Sequence, residues 1–199
     1  MMNAKRIGIM GGTFDPIHLG HLIIAEAARM MFYLDEIIFI PVGDPPHKNK
    51  RKVSSAKHRL RMIELSIADN PAFFVSDMEI RRQGETYTID TLREMRRRYP
   101  EDRMFFITGA DAMDSITTWK DYEELFSYAD FVVAIRGEEA RYQIKSGISK
   151  FKEHILRLDT PFVDISSTKI RQCVRDDISI RYVVREDVRV YIDEKGLYK

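Results

Sequence analysis

Residues 6–21 read Arg6-Ile7-Gly8-Ile9-Met10-Gly11-Gly12-Thr13-Phe14-Asp15-Pro16-Ile17-His18-Leu19-Gly20-His21. A short apolar run ends at two glycines, and a loop then leads into an amphipathic segment. A strand that stops at glycine and is followed by a helix is the opening unit of an alternating strand–helix chain. Working outward, strand-like apolar runs recur at 6–10, 36–41, 73–78, 104–108 and 131–135, with a weaker one at 162–165. Helical spacing fills most of the intervals. Segment 19–33 places Leu19, Leu22, Ile23, Ala27 and Met30 on one face, and segment 54–68 does so with Leu60, Ile63 and Ile67. Segment 88–99 opens with a Thr/Asp cap and stops before Pro100, and 187–194, followed by Gly196, reads as a closing helix. This alternation predicts an α/β fold: a doubly wound parallel sheet with helices on both faces. No repeat, low-complexity linker or composition break divides the chain, so residues 1–199 are expected to form a single domain.

Composition narrows the function classes. At 44% hydrophobic and 11% aromatic, 199 residues suffice for a full core, hiding ~70% of the unfolded surface. Thirty-two Lys and Arg against 31 Asp and Glu leave +1, which gives no sign of a polyanionic partner. Residues 16–25 are the longest stretch without a formal charge, far below the ~20 of a spanning helix, so no membrane segment is expected. The apolar run after residues 1–6 is broken by Gly8, Gly11 and Gly12, unlike a secretory signal. Cys173 is the one cysteine, which rules out an internal disulfide and a Cys-based zinc site. A reducing cytoplasm is the expected compartment.

The chemistry-bearing residues gather after strand ends, where doubly wound sheets bind ligands. Gly11 and Gly12 let the backbone turn tightly and approach a ligand. The next helix offers unpaired N–H groups and a partial positive charge suited to phosphate. His18 and His21, three apart, share one face of its first turn, and Gly20 keeps that face clear. Two imidazole donors beside a helix start make a cradle for an oxyanion. Rival motifs fit less well: there is no G-x-x-x-x-G-K-[ST] and no G-x-G-x-x-G. Zinc would require further ligands beyond the two histidines, and only Asp15 is close in sequence.

The loop resembles the H-x-G-H signature of the nucleotidyltransferase superfamily, and Ile165-Ser166-Ser167-Thr168-Lys169-Ile170-Arg171 resembles its I-S-S-T-x-I-R signature. Pro45-Pro46-His47-Lys48, Tyr87-Thr88-Ile89-Asp90-Thr91-Leu92, and Gly109-Ala110-Asp111 followed by Trp119 are similar to the bacterial nicotinate-nucleotide adenylyltransferase family. The likeness runs from Ile7 to Tyr198. One departure is Arg136-Gly137, where family members commonly carry Arg-Pro-Gly. The resemblance implies a Rossmann-like enzyme that joins ATP to nicotinate mononucleotide, with magnesium entering on ATP. It assigns His18 and His21 to catalysis at the ATP phosphates, with backbone of Gly12, Thr13 and Phe14 near the nucleotide. It places Lys48, Gly109, Asp111, Arg136, Ser167, Thr168 and Arg171 on the ATP side. His47, Thr88, Ser115 and Trp119 fall to the mononucleotide, with Trp119 stacking on the pyridine and Thr88 and backbone near Ser115 holding its carboxylate.

Physical readings stand beside these. A Ser/Thr cluster caps a helix start, and Arg171, four residues after Ser167, can add a planar phosphate contact. Asp111 can accept from ribose hydroxyls or cap a helix at 112–116. Residues 45–63 carry Lys48, Lys50, Arg51, Lys52, Lys57, Arg59 and Arg61 and no acid. A solvated basic loop is the ordinary reading of 50–52, while the prolines stiffen the chain ahead of His47 and Lys48. The same run supports a different class, a nucleic-acid-binding module using a basic patch at 48–61, though it lacks interleaved aromatics. Within the superfamily, nicotinamide mononucleotide or phosphopantetheine are alternative acceptors. The expected partners are therefore ATP and nicotinate mononucleotide, without nucleic acid or membrane, in a possible homo-oligomer.

Overall fold

Ile7, Ile9 and Met10 are all buried, although neighbouring strand residues point to opposite faces. A strand of that kind has to lie inside a sheet covered on both sides. A computed structural model describes residues 4–43, 53–136, 146–160 and 164–199. In chain order its strands are β1 (Arg6–Gly12), β2 (Glu36–Pro41), β3 (Phe73–Val75), β4 (Arg103–Gly109), β5 (Asp130–Arg136) and β6 (Ile155–Thr160). They form one sheet in the order β3-β2-β1-β4-β5-β6, with every pairing parallel. The order reverses between β1 and β4, so the crevice beyond Gly12 and Gly109 is the topological switch point.

Two hydrophobic layers cover the sheet. One packs Met10, Phe39, Phe105 and Val132 under α1 (Leu19–Met31), α2 (Ala56–Ile67), α7 (Ser167–Arg175) and α8 (Glu186–Glu194). The other packs Ile9, Ile40, Phe106 and Val133 under α3 (Met78–Arg81), α4 (Thr88–Arg98), α5 (Ala110–Asp114) and α6 (Tyr122–Tyr128). The expected doubly wound α/β architecture is therefore the observed one.

Three local expectations are corrected. The sixth strand is Ile155–Thr160, not 162–165; Asp164 and Ile165 lie outside any strand, and 161–163 fall outside the described residues. Its exposed Arg157 and Asp159 interrupt the apolar pattern, as suits an edge strand. The run at 73–78 pairs only over Phe73–Val75, because Met78 instead opens α3 and buries itself against the α4 layer. At the start of α4 the cap position is Tyr87, whose side chain makes no capping bond; Thr88 is the first helical residue.

Candidate active site

The first loop is fixed from behind. Phe14 has a positive φ of 50° and turns its ring into the core, edge-on to Phe39 at 6.0 Å and to His21 at 5.1 Å. Asp15 is buried; its carboxylate accepts from the Tyr198 hydroxyl at 2.7 Å and from the Ser54 N–H at 3.2 Å. The I-S-S-T-x-I-R segment closes on the same loop. Arg171 donates to the Asp15 carbonyl at 2.7 Å, and Ser167 Oγ donates to the Pro16 carbonyl at 2.9 Å. Two motifs about 150 residues apart in sequence thus share one loop, with separations of 156 and 151 residues at these bonds.

His18 is the N-cap of α1 and only 4% exposed. Its backbone N–H donates to His21 Nδ1 at 3.2 Å, and the two rings stack with centroids 3.8 Å apart. An Nδ1 that accepts a hydrogen bond leaves the proton of neutral His21 on Nε2, as a donor. Gly20 shows why this position carries no side chain. A Cβ built there would lie 3.0 Å from His18 Nδ1 and 3.1 Å from its Cε1. Gly20→Ala sets alanine's helix preference over glycine, at most ~0.5–1 kcal/mol, against the cost of moving the buried His18 ring, so its melting temperature should stay within a few degrees of the parent. By displacing the His18 ring it should cut turnover about tenfold or more. Thermal melting and kcat check this pair, and undiminished kcat would contradict the role given to the stacked rings.

A cavity of about 290 Å3 opens at the switch point, lined by Gly11 and Gly12 at the end of β1 and Thr13 after them, Ile40 on β2 and Val42 just past it, and Thr88, Phe106, Ala112 and Trp119 opposite. Trp119 stands edge-on to Phe106, with ring centroids 6.2 Å apart, and is half-buried at the cavity wall. Glu79 also lines the cavity, a residue that sequence reading missed. It is buried, with Oε1 accepting from Thr91 Oγ1 at 2.6 Å, and Thr91 in turn accepts from Arg82 at 3.1 Å. Burial pushes the Glu79 carboxyl above its ordinary range, against the Thr91 hydrogen bond and the nearby Arg82 charge. A carboxyl raised in the folded state contributes stability below its unfolded pKa of about 4.3 and loses it as pH rises through the folded value. Glu79→Gln, which keeps an acceptor for Thr91, should therefore gain on the parent in melting temperature between pH 4 and pH 7. An equal difference at both pH values would contradict it.

The remaining predicted residues divide. Gly109 caps α5, with open space where a Cβ would point, and exposed Asp111 lies within the first turn of α5 rather than at its cap. Thr168 Oγ1 accepts from Arg171 at 3.3 Å, while the cap of α7 is Ser166, which accepts from the Lys169 N–H at 3.2 Å. Ser115 ends α5; its N–H and hydroxyl both donate to the Ala112 carbonyl, at 3.2 and 3.0 Å, and it stands outside the cavity lining. Arg136 closes β5 opposite Thr160. His47 and Lys48 lie outside the described residues. Of the basic run, Arg59 is buried and Arg61 pairs with Glu64 at 2.8 Å, which removes both from a free basic patch.

The cavity lies at the topological switch point, and a family model described as cytidylyltransferase-like matches residues 9–173. The chain belongs to the cytidylyltransferase-like family. A relative from Desulfitobacterium hafniense (strain DSM 10664 / DCB-2), named as a probable nicotinate-nucleotide adenylyltransferase, is 47% identical over 98% of this chain and 96% of its own length. One of the same name from Thermoanaerobacter sp. (strain X514) is 47% identical over 100% and 97%. The fold is also that of a Plasmodium falciparum nicotinic acid mononucleotide adenylyltransferase complexed with NaAD, with a TM-score of 0.82 and 23% identity over 98% of this chain and 97% of that one. In this cytidylyltransferase-like chain the Ser167–Arg171 segment bonds to Asp15 and Pro16, in the loop that runs from the cavity-lining Thr13 to His18. No helix among the described residues is long and apolar enough to cross a membrane.

Proposed function

We propose that this protein is a nicotinate-nucleotide adenylyltransferase, which transfers the adenylyl group of ATP to nicotinate mononucleotide and releases pyrophosphate in NAD biosynthesis. The observation that carries the reading is the stacked His18–His21 pair at the start of α1, on the loop whose first residues, Gly12 and Thr13, line a cavity walled by Trp119 and the first turn of α4. The nucleophile, a phosphate oxygen of the mononucleotide, is already ionised at neutral pH, since its second pKa is about 6. No general base is needed. That oxygen forms a bond to the α-phosphorus of ATP as the bond from the α-phosphorus to the bridging oxygen breaks, and pyrophosphate carries away the electron pair. The protein's work is alignment and stabilisation of the negative, crowded transition state. His21 Nε2–H, His18 and the N-terminal end of α1 bear on the ATP phosphates, with Arg171 and Ser167 behind the same loop.

The donor set favours phosphate over a protein-held metal. Among the described residues no group of three or more His, Cys, Asp or Glu converges, and the Asp15 carboxylate is engaged by Tyr198 and Ser54. Magnesium (Mg2+) would thus be held by the ATP phosphates that these residues position, and it supplies charge neutralisation of the leaving pyrophosphate. A cytoplasmic location suits such an enzyme. The test is pyrophosphate release from ATP, assayed with nicotinate mononucleotide, nicotinamide mononucleotide and phosphopantetheine as separate acceptors. Dominant release with the first supports the reading, and dominant release with either of the others overturns it.

A further inference from the structure

Arg59 lies among the seven cations of the basic run, yet it is only 2% exposed. Its guanidinium is engaged by backbone carbonyls of three segments. Nε donates to Ser54 O at 3.1 Å, one terminal nitrogen to Thr13 O at 3.0 Å and Val42 O at 2.7 Å, and the other to Gly43 O at 3.2 Å. Thr13 belongs to the first loop and Val42 directly follows β2, and both line the cavity. Gly43 is pinned from its other side, because a Cβ there would lie 2.1 Å from the Glu79 carbonyl oxygen. Burial pushes the Arg59 guanidinium below its ordinary range, an effect that nearby Asp15, Tyr198 and Glu79 oppose.

We propose that Arg59 is a positioning residue for adenylyl transfer: its planar fork holds the phosphate-side loop at Thr13 and the adjoining rim at Val42 and Gly43 in a fixed arrangement. The inference rests on the functional reading above. An arginine suits this place because five N–H donors in one rigid plane serve four carbonyls together, whereas a lysine presents three donors from a single point. In-line transfer depends on the alignment of two bound nucleotides, and a displacement near 1 Å of the backbone that lines them can cost about 10²-fold in rate. Arg59 touches neither substrate in this account. It acts through the backbone that does.

The test uses Arg59→Lys and Arg59→Gln, with Leu34→Ala as a control. Leu34 is buried just before β2, at the N-terminal ends of the strands and so at the far end of the sheet from the cavity. It lowers stability without touching either rim. Steady-state kinetics are run well below every melting temperature, after wild-type activity on ATP and nicotinate mononucleotide is established. An inactive wild type would overturn the functional reading itself. With an active wild type, Arg59→Lys and Arg59→Gln are expected to lose about tenfold or more in kcat, with both KM values within about twofold, a partial form of the alignment penalty. Leu34→Ala should keep its kcat. Unchanged kcat in the Arg59 variants, an equal loss in Leu34→Ala, or failure of both Arg59 variants to fold would each overturn the positioning role.

Discussion

His21→Ala is expected to lose about 10²–10³ in kcat, the usual consequence of removing one preorganised donor from a developing oxyanion. The structure gives the donor its direction. His18 N–H occupies His21 Nδ1 at 3.2 Å, so Nε2 carries the proton, and the ring is held by the His18 stack and by the edge of Phe14. The same contact makes His21 part of the cap of α1, so the variant should also melt a few degrees lower, as the loss of a cap costs ~0.5–2 kcal/mol. The two effects separate when turnover is read below the melting range and the fold is followed by circular dichroism. His18→Ala should behave similarly, with more of its loss in ATP affinity. Retention of more than a third of wild-type turnover by folded His21→Ala would remove the histidine from the mechanism.

Nicotinate mononucleotide should be preferred over its amide by about thirtyfold in kcat/KM. The α4 start beside Thr88 carries no side-chain cap; the Asp90 and Thr91 N–H groups turn back to the Tyr87 carbonyl, which leaves those of Thr88 and Ile89 and the positive helix end for an anion. That end favours a carboxylate by ~0.3–1 kcal/mol, and by more when buried. An amide would set its NH2 against the same donors, leaving a buried donor unpaired at a cost of ~1–3 kcal/mol. The sum is ~1.3–4 kcal/mol, and a value of ~2 within it sets the thirtyfold figure. Two features of the structure hold the margin down. The Ser115 N–H is taken by Ala112, and Glu79 places an acidic group in the same cavity. Trp119→Ala should weaken both mononucleotides and leave their ratio nearly constant, because a ring face does not sense the substituent. Equal kcat/KM for the two mononucleotides in wild type would contradict the acid-selective site. A collapsed ratio in Trp119→Ala would show that the indole does more than stack.

The central strands were legible because they are buried on both faces and read as unbroken apolar runs. β6 was not, since an edge strand bearing Arg157 and Asp159 looks like polar coil until its partner β5 is known. The first loop and the Ser167–Arg171 segment were legible as signatures, but their meeting through the Asp15 and Pro16 carbonyls is a tertiary fact. Arg59 and Glu79 had no marker in the sequence. A buried arginine that serves carbonyls is spelled like its solvated neighbours, and a glutamate in a cavity wall is spelled like one on a helix surface. Ser115 shows the converse: it occupies a plausible position in the motif, yet its donors turn back onto its own helix.

The central claim is adenylyl transfer, with attack at the α-phosphorus of ATP beside His18 and His21. ATP labelled at the α-phosphate, incubated with nicotinate mononucleotide and the enzyme, tests it most directly. The account predicts label in a dinucleotide product, equimolar with unlabelled pyrophosphate, and almost none of either with His21→Ala. Label recovered in ADP, with unlabelled phosphate carried to the acceptor, would place the attack at the γ-phosphorus and contradict the account.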